Sequence, residues 1–338
     1  MLDFAKKNAF LVVSGIIFSI TYALHSDVSG SVSRVYTLGT FTSFWPYAPR
    51  FLVAWAAHNV FGGWAETAYF RALLCFTCWI PTALLSLKLG QRLGLTELQQ
   101  QFIVPGVLLV SLGHYALPNV AAQFVVYDLP ATVFYLTTVL LLTSSKTYEQ
   151  FLGALLLPIF YLNNEGITVA LFHAAAFWLA PVSLSISEIR YRIRASWLPL
   201  SIVAALFLVT IVERSALLHY LHGNSRTIML VTFYEGDRIR FVANLSRVFS
   251  ELGNFQQFAA TGFGAVLLIP LVLTGKNTQL RAWALLSLPP MVLLFLFGNF
   301  FTELRIYKEF VPLFGIYLAV AMSWPAEYRL TNQTSVTT

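Results

Sequence analysis

Hydrophobic residues run through this chain in long unbroken blocks, and short polar or charged clusters separate them. A block of roughly 20 apolar residues is what a helix needs to cross a bilayer, so the pattern predicts about ten transmembrane helices. They fall near 8–24, 66–88, 102–117, 127–143, 150–162, 167–186, 197–216, 256–274, 282–300 and 309–325. The block 150–162 is the shortest. The stretch 51–63 (FLVAWAAHNVFGG) is too short to span and reads as a helix lying in the membrane interface. The first block follows Lys6 and Lys7 without a convincing small-residue cleavage site, so it reads as a span and not as a cleaved signal.

Charge orients these spans. Lys6 and Lys7, Lys88 and Arg92, Lys146, Arg190, Arg192 and Arg194, Lys276 and Arg281, and Arg329 all fall in alternate connections. Basic residues concentrate on the cytoplasmic side, so both termini are expected there. The chain then reads as a single transmembrane domain over 1–325, with outer loops at 25–65 and 217–255. A disordered cytoplasmic tail is expected over 326–338. Composition agrees: 57% of the 338 residues are hydrophobic and 11% charged, against about 25% charged in soluble domains. The expected fold class is therefore an all-α polytopic membrane protein. The net charge of +6 is spread over loops and does not point to nucleic acid. Cys75 and Cys78 lie in an apolar block with no second pair or histidine nearby, which favours packing over redox or metal chemistry. Arg226, Arg238, Arg240 and Arg247 in the second outer loop suit either lipid phosphates and an anionic substrate or a solvated surface.

With this threading, Asp27, Asp128, Glu165 and Glu303 share the outer face. Ionisable groups near hydrocarbon are costly, about 2.5–3.5 kcal/mol each at the bilayer centre on insertion scales, so such a gathering suggests a site. Asp27 follows the first span. Arg50 precedes the interfacial helix, among aromatics (FWPYAPRFL, 44–52) that suit either snorkelling or phosphate binding. Asp128 opens a span in Tyr127-Asp128-Leu129-Pro130, where helix capping is an equally good reading. Asn163-Asn164-Glu165-Gly166 joins two spans with almost no loop, and backbone turning at membrane depth must line a cavity or be packed in protein. Glu303, Arg305 and Lys308 form the densest charge cluster near a short outer connection. Arg305 can pair with Glu309 at i,i+4, or Arg305 and Lys308 can hold a phosphate. The six histidines are scattered, with His173 a lone polar group in its span, and no zinc or Ser–His–Asp spacing is present.

These motifs resemble the GT-C class of integral membrane glycosyltransferases, and in particular a bacterial multi-pass group with Y-D-[LF]-P, N-R-E and E-x-R motifs. Here they stand as Tyr127-Asp128-Leu129-Pro130, Asn163-Asn164-Glu165 (Asn in place of Arg) and Glu303-Leu304-Arg305. The resemblance implies a GT-C-like fold in a bacterial inner membrane, with the site facing the periplasm. It implies transfer of a sugar from a polyprenyl-phosphate carrier to a glycan, lipid or protein acceptor. Asp27 would be the base. Arg305, with Lys308 or Arg50, would hold the leaving phosphate, and Asp128, Asn164 and Glu165 would orient sugar hydroxyls or the basic groups. No cofactor is required, although two acids could bind a divalent metal. A transporter or flippase, a membrane acyltransferase using His173 or His114, and a non-catalytic assembly subunit are the competing readings.

Overall fold

The computed structural model describes residues 2–25, 52–115, 126–180, 186–222, 277–297 and 309–336, with short pieces between 234 and 246. Their regular structure is helical apart from one two-residue antiparallel pair, Tyr234–Glu235 with Arg238–Ile239. In chain order the helices are α1 (Leu2–His25), α2 (Leu52–Phe61), α3 (Ala68–Arg92), α4 (Glu97–Gln101), α5 (Ile103–Tyr115), α6 (Asp128–Leu142), α7 (Thr147–Tyr161), α8 (Val169–Leu179), α9 (Ile186–Ala195), α10 (Trp197–His222), α11 (Thr278–Phe297) and α12 (Val311–Val336). Single 3-10 turns lie at Gly62–Glu66 and Glu165–Thr168. The block 256–274 lies outside the described residues.

The apolar blocks among the described residues become helices, several of them shorter than hydropathy suggests. Among the described residues α3 is the helix long and apolar enough to cross a membrane. The bent pair α9–α10 supplies a second if counted as one span. The block 167–186 shows why the lengths differ. Helix α8 fills only Val169–Leu179, and Ala180 turns extended with ψ 103°, because the residue before a proline (here Pro181) is driven out of the helical region. At the other extreme, α12 runs on to Val336, through most of the segment where composition predicts a disordered tail. Ala326-Glu327-Tyr328-Arg329-Leu330 continues a helix already nucleated in the core, and propagation needs only one hydrogen bond per added residue.

Helix α3 is the hub, packed against α1, α5 and α6; α5 pairs with α12, α6 with α7 and α8, and α8 with α10 and α11. Gly15 of α1 lets the Trp79 indole of α3 come close, and Trp79 Nε1 donates to Ser14 Oγ at 3.1 Å. In the α5–α12 pair, Gly106 faces Gly315 so closely that a Cβ on either would overlap the other helix's backbone or Val107. Small residues permit this close approach of two helix backbones. Cys75 and Cys78 are free and buried in the same core, as the packing reading expects.

Polar connections gather at two ends of the bundle. At one end α3 stops in a Schellman turn: Gly94 (φ 72°) donates to the Gln91 carbonyl, and Leu95 N–H to that of Gly90 at 3.1 Å. Asn277 Nδ2 donates to the Leu93 carbonyl while Asn277 Oδ1 accepts from Leu280 N–H, starting α11 beside this turn. Arg92 donates to the last-turn carbonyl of Leu140 at 2.7 Å, meeting the negative end of α6. The opposite end carries the candidate site.

Candidate functional site

Six chain segments converge at that second end. Tyr22 of α1 packs its ring against Tyr115 at the end of α5, centroids 5.2 Å apart. The Tyr115 hydroxyl stands 3.4 Å from Thr132 Oγ1 in α6, and Asp128, Tyr22 and Glu309 all lie within its electrostatic reach. Leu52 N–H, opening α2, donates to the Leu162 carbonyl at 3.2 Å. Asn163 Nδ2 donates to the Tyr127 carbonyl at 2.9 Å, tying the 163–166 turn to the start of α6.

Asp128 is the first residue of α6 and is buried, only 2% exposed. The capping reading is corrected: Tyr127 holds the N-cap position with no side-chain cap hydrogen bond, and Asp128 stands one residue further in, as an acid in the first turn. Pro130 follows in the first turn, where its missing N–H costs nothing. The turn itself is packed in protein: Asn163 and Asn164 are both buried. Asn164 Oδ1 accepts from Gly166 N–H at 2.7 Å, capping the 3-10 turn Glu165–Thr168. Gly166 leaves room here for the Glu309 side chain. A Cβ on it would overlap the Glu309 carboxylate and lie 2.9 Å from Asn164 Oδ1. Glu309 is thus brought onto the turn, 1% exposed, immediately before α12.

Two amide atoms in this cluster have hydrogen-bonding capacity to spare. Among the described residues, the buried atoms Asn163 Oδ1 and Asn164 Nδ2 have no hydrogen-bond partner. A buried polar atom left unpaired costs about 1–3 kcal/mol. One acceptor and one donor therefore stand unpaired in a turn that holds Tyr127 at the start of α6 and meets the buried Glu309 carboxylate at Gly166. That set suits a hydroxyl-rich ligand, since a hydroxyl both donates and accepts.

No protein-family model, no curated protein and no solved structure matches this chain.

Of the residues singled out in the sequence, the structure brings Asp128 and Asn164 into one cluster. Glu165 contributes its backbone to the turn, and its side chain lies outside what is described. Asp27, Arg50, Glu303, Arg305 and Lys308 lie outside the described residues, so the i,i+4 pairing of Arg305 with Glu309 does too. Among the described residues no three His, Cys, Asp or Glu side chains stand close enough together to hold a metal ion.

Sequence reasoning missed Glu309 as a member of the site, having weighed it only as a partner for Arg305. The signal was an acid at the first position of an apolar block. It also treated His173 as a lone polar group without a distinctive partner, and the structure corrects this. His173 is fully buried, with Nδ1 2.6 Å from the Tyr135 hydroxyl and Nε2 2.6 Å from Ser287 Oγ. Ser287 gives its own proton to the Trp283 carbonyl at 2.7 Å. The bonds close consistently if Tyr135 donates to Nδ1 and Nε2–H donates to Ser287, which assigns the Nε2 tautomer. Trp283 stacks on the imidazole at 4.9 Å and 7°. Glu309 is within electrostatic reach of Tyr135, so this deeper network borders the site.

Proposed function

We propose that the chain is an integral membrane glycosyltransferase that moves a sugar from a polyprenyl-phosphate carrier to an acceptor on the extracytoplasmic face of a bacterial inner membrane. The observation that carries this reading is that two buried carboxylates, Asp128 and Glu309, both lie within electrostatic reach of Tyr115 at the end of the bundle that holds the unspent amide atoms of Asn163 and Asn164. Carboxylates and amides placed together in this way recognise sugar hydroxyls. Further support comes from chain connectivity. Asp27 follows α1 by two residues, and Glu303, Arg305 and Lys308 lead directly into Glu309. The large apolar side chains exposed along α1, including Val13, Ile16 and Ile20, suit contact with lipid.

In this reading the acceptor hydroxyl attacks the anomeric carbon as Asp27 takes its proton. The carbon–oxygen bond to the carrier phosphate breaks, and the leaving polyprenyl phosphate carries the electron pair away. Arg305, with Lys308 or Arg50, neutralises that developing charge. Asp128, Glu165 and Asn164 hold the sugar, with Glu309 beside them. Direct displacement inverts the anomeric configuration.

The test is transfer of labelled sugar from polyprenyl-phosphate sugar by the reconstituted full chain. Asp27→Asn and Arg305→Ala are each expected to reduce turnover at least tenfold with unchanged thermal stability, the range in which a single proton-transfer or charge-stabilising group acts. Transfer surviving both substitutions removes the reading. A transporter is the second reading, favoured by one observation: the Tyr135–His173–Ser287 network lies deep in the bundle. It predicts carrier-linked sugar crossing vesicles without any transfer product.

A further inference from the structure

The basic connection after α8 folds as a helix, α9, whose side chains are nowhere fully buried. Ile186, Ile189 and Ile193 recur at i, i+3 and i+7, which sets them in one stripe. They are 71%, 37% and 47% exposed, so the described protein leaves much of the stripe open. Arg190 and Arg194, four residues apart, border one edge of the stripe. Arg192 lies towards the other edge and donates from Nε to Glu188 at 3.0 Å.

The placement of this helix is set by its neighbour. The segments Ile186–Ala195 and Trp197–Glu213 meet at 83°. Pro199 gives the cause, because it lacks an N–H for the Ala195 carbonyl and its ring clashes there. The α10 segment exposes Leu208, Ile211 and Val212, a surface suited to acyl chains. If α10 runs along the membrane normal, α9 must lie close to the membrane plane. Trp197, 64% exposed, then marks the corner at headgroup depth, where tryptophan is favoured.

We infer that α9 is an in-plane interfacial helix that docks on anionic lipid headgroups, with the isoleucine stripe in the acyl boundary and Arg190 and Arg194 on lipid phosphates. The inference rests on the membrane-spanning reading and not on the sugar chemistry. It adds lipid selectivity on the face opposite the candidate site.

Depth measurements on a nitroxide at Ile193→Cys or Tyr191→Cys in the reconstituted full chain test it. The wild-type chain, with Cys75 and Cys78 buried, serves as the labelling blank. In phosphatidylglycerol-containing vesicles the label at 193 should collide with oxygen and be shielded from a water-soluble nickel chelate, and the label at 191 should show the reverse. Adding Arg190→Gln and Arg194→Gln should raise the phosphatidylglycerol needed to shield position 193, by about fivefold for each arginine removed. If both labels are equally open to nickel while the protein floats with the vesicles, this inference alone falls. If the protein does not float, the membrane reading falls with it.

Discussion

At the scale of single residues, buried polar groups do two kinds of work in this protein. Among the described residues, Asn163 Oδ1 and Asn164 Nδ2 have no hydrogen-bond partner at one end of the bundle, whereas His173 spends both ring nitrogens within the core. The expectation for His173 is therefore structural cost. Tyr135→Phe removes the donor to Nδ1 and leaves a buried acceptor, so it should destabilise by about 1–3 kcal/mol. Ser287→Ala should cost a similar amount, and the double variant should cost less than the sum because both act through one imidazole. Thermal unfolding in detergent checks this, and additive losses would show that the imidazole does not couple them. In the sequence His173 is legible only as an isolated polar residue. Its partners sit 38 positions before it and 114 positions after it, and no spacing rule reaches across that separation.

At the scale of elements, helix ends and helix contacts carry the specificity. The start of α7 is held by Glu149, which accepts from Ser144 Oγ at 2.5 Å and pairs with Lys146 Nζ at 3.2 Å. The Ser144 hydrogen bond first, then Lys146, lowers the Glu149 pKa below its ordinary value of 4.5. A carboxylate with a depressed folded-state pKa gives stability that is present above the unfolded value and lost as pH falls through the folded one. Protection of the first α7 amides from hydrogen exchange should therefore weaken as the pH drops below 4.5, and Glu149→Gln should abolish that dependence. The α5–α12 contact makes a sharper demand. Gly106→Ala would drive a methyl group into the Gly315 carbonyl, and backbone cannot swing aside as a flexible side chain can. A loss of about 1–3 kcal/mol or more is expected in unfolding measurements, with Gly106→Ser no better tolerated.

At the scale of the whole molecule, the polar connections segregate into two ends joined by apolar helices. One end holds the 93–96, 143–146 and 277 connections, and the other holds Tyr22, Leu52, Tyr115, the 163–166 turn and Glu309. With 25 residues and a rise of about 1.5 Å per residue, α3 measures roughly 37 Å, enough to cross a hydrocarbon core of about 30 Å. Cysteines placed at the exposed positions Gly63 and Ser145 should then react with an impermeant maleimide from opposite sides of sealed vesicles, Gly63 from outside. Reaction of both from one side would contradict the threading.

Length, apolar block order and the alternation of basic residues were enough for an all-helical reading, for the positions of most helices and for packing of Cys75 and Cys78 in a core. Those features are local: they depend on burying backbone hydrogen bonds and on the cost of moving charge, and each is written within a few residues. Helix ends were less legible, because a proline such as Pro181 or a nucleated run such as 326–336 shifts them against the hydropathy profile. The site was half legible. Asp128 and the Asn163-Asn164 turn stand out as polar interruptions. That Glu309 closes on Gly166, and that Asn163 reaches Tyr127, was decided only by tertiary packing. The 83° corner between α9 and α10 is equally invisible to composition, since a basic amphipathic stretch becomes an in-plane surface only once its neighbour's direction is set.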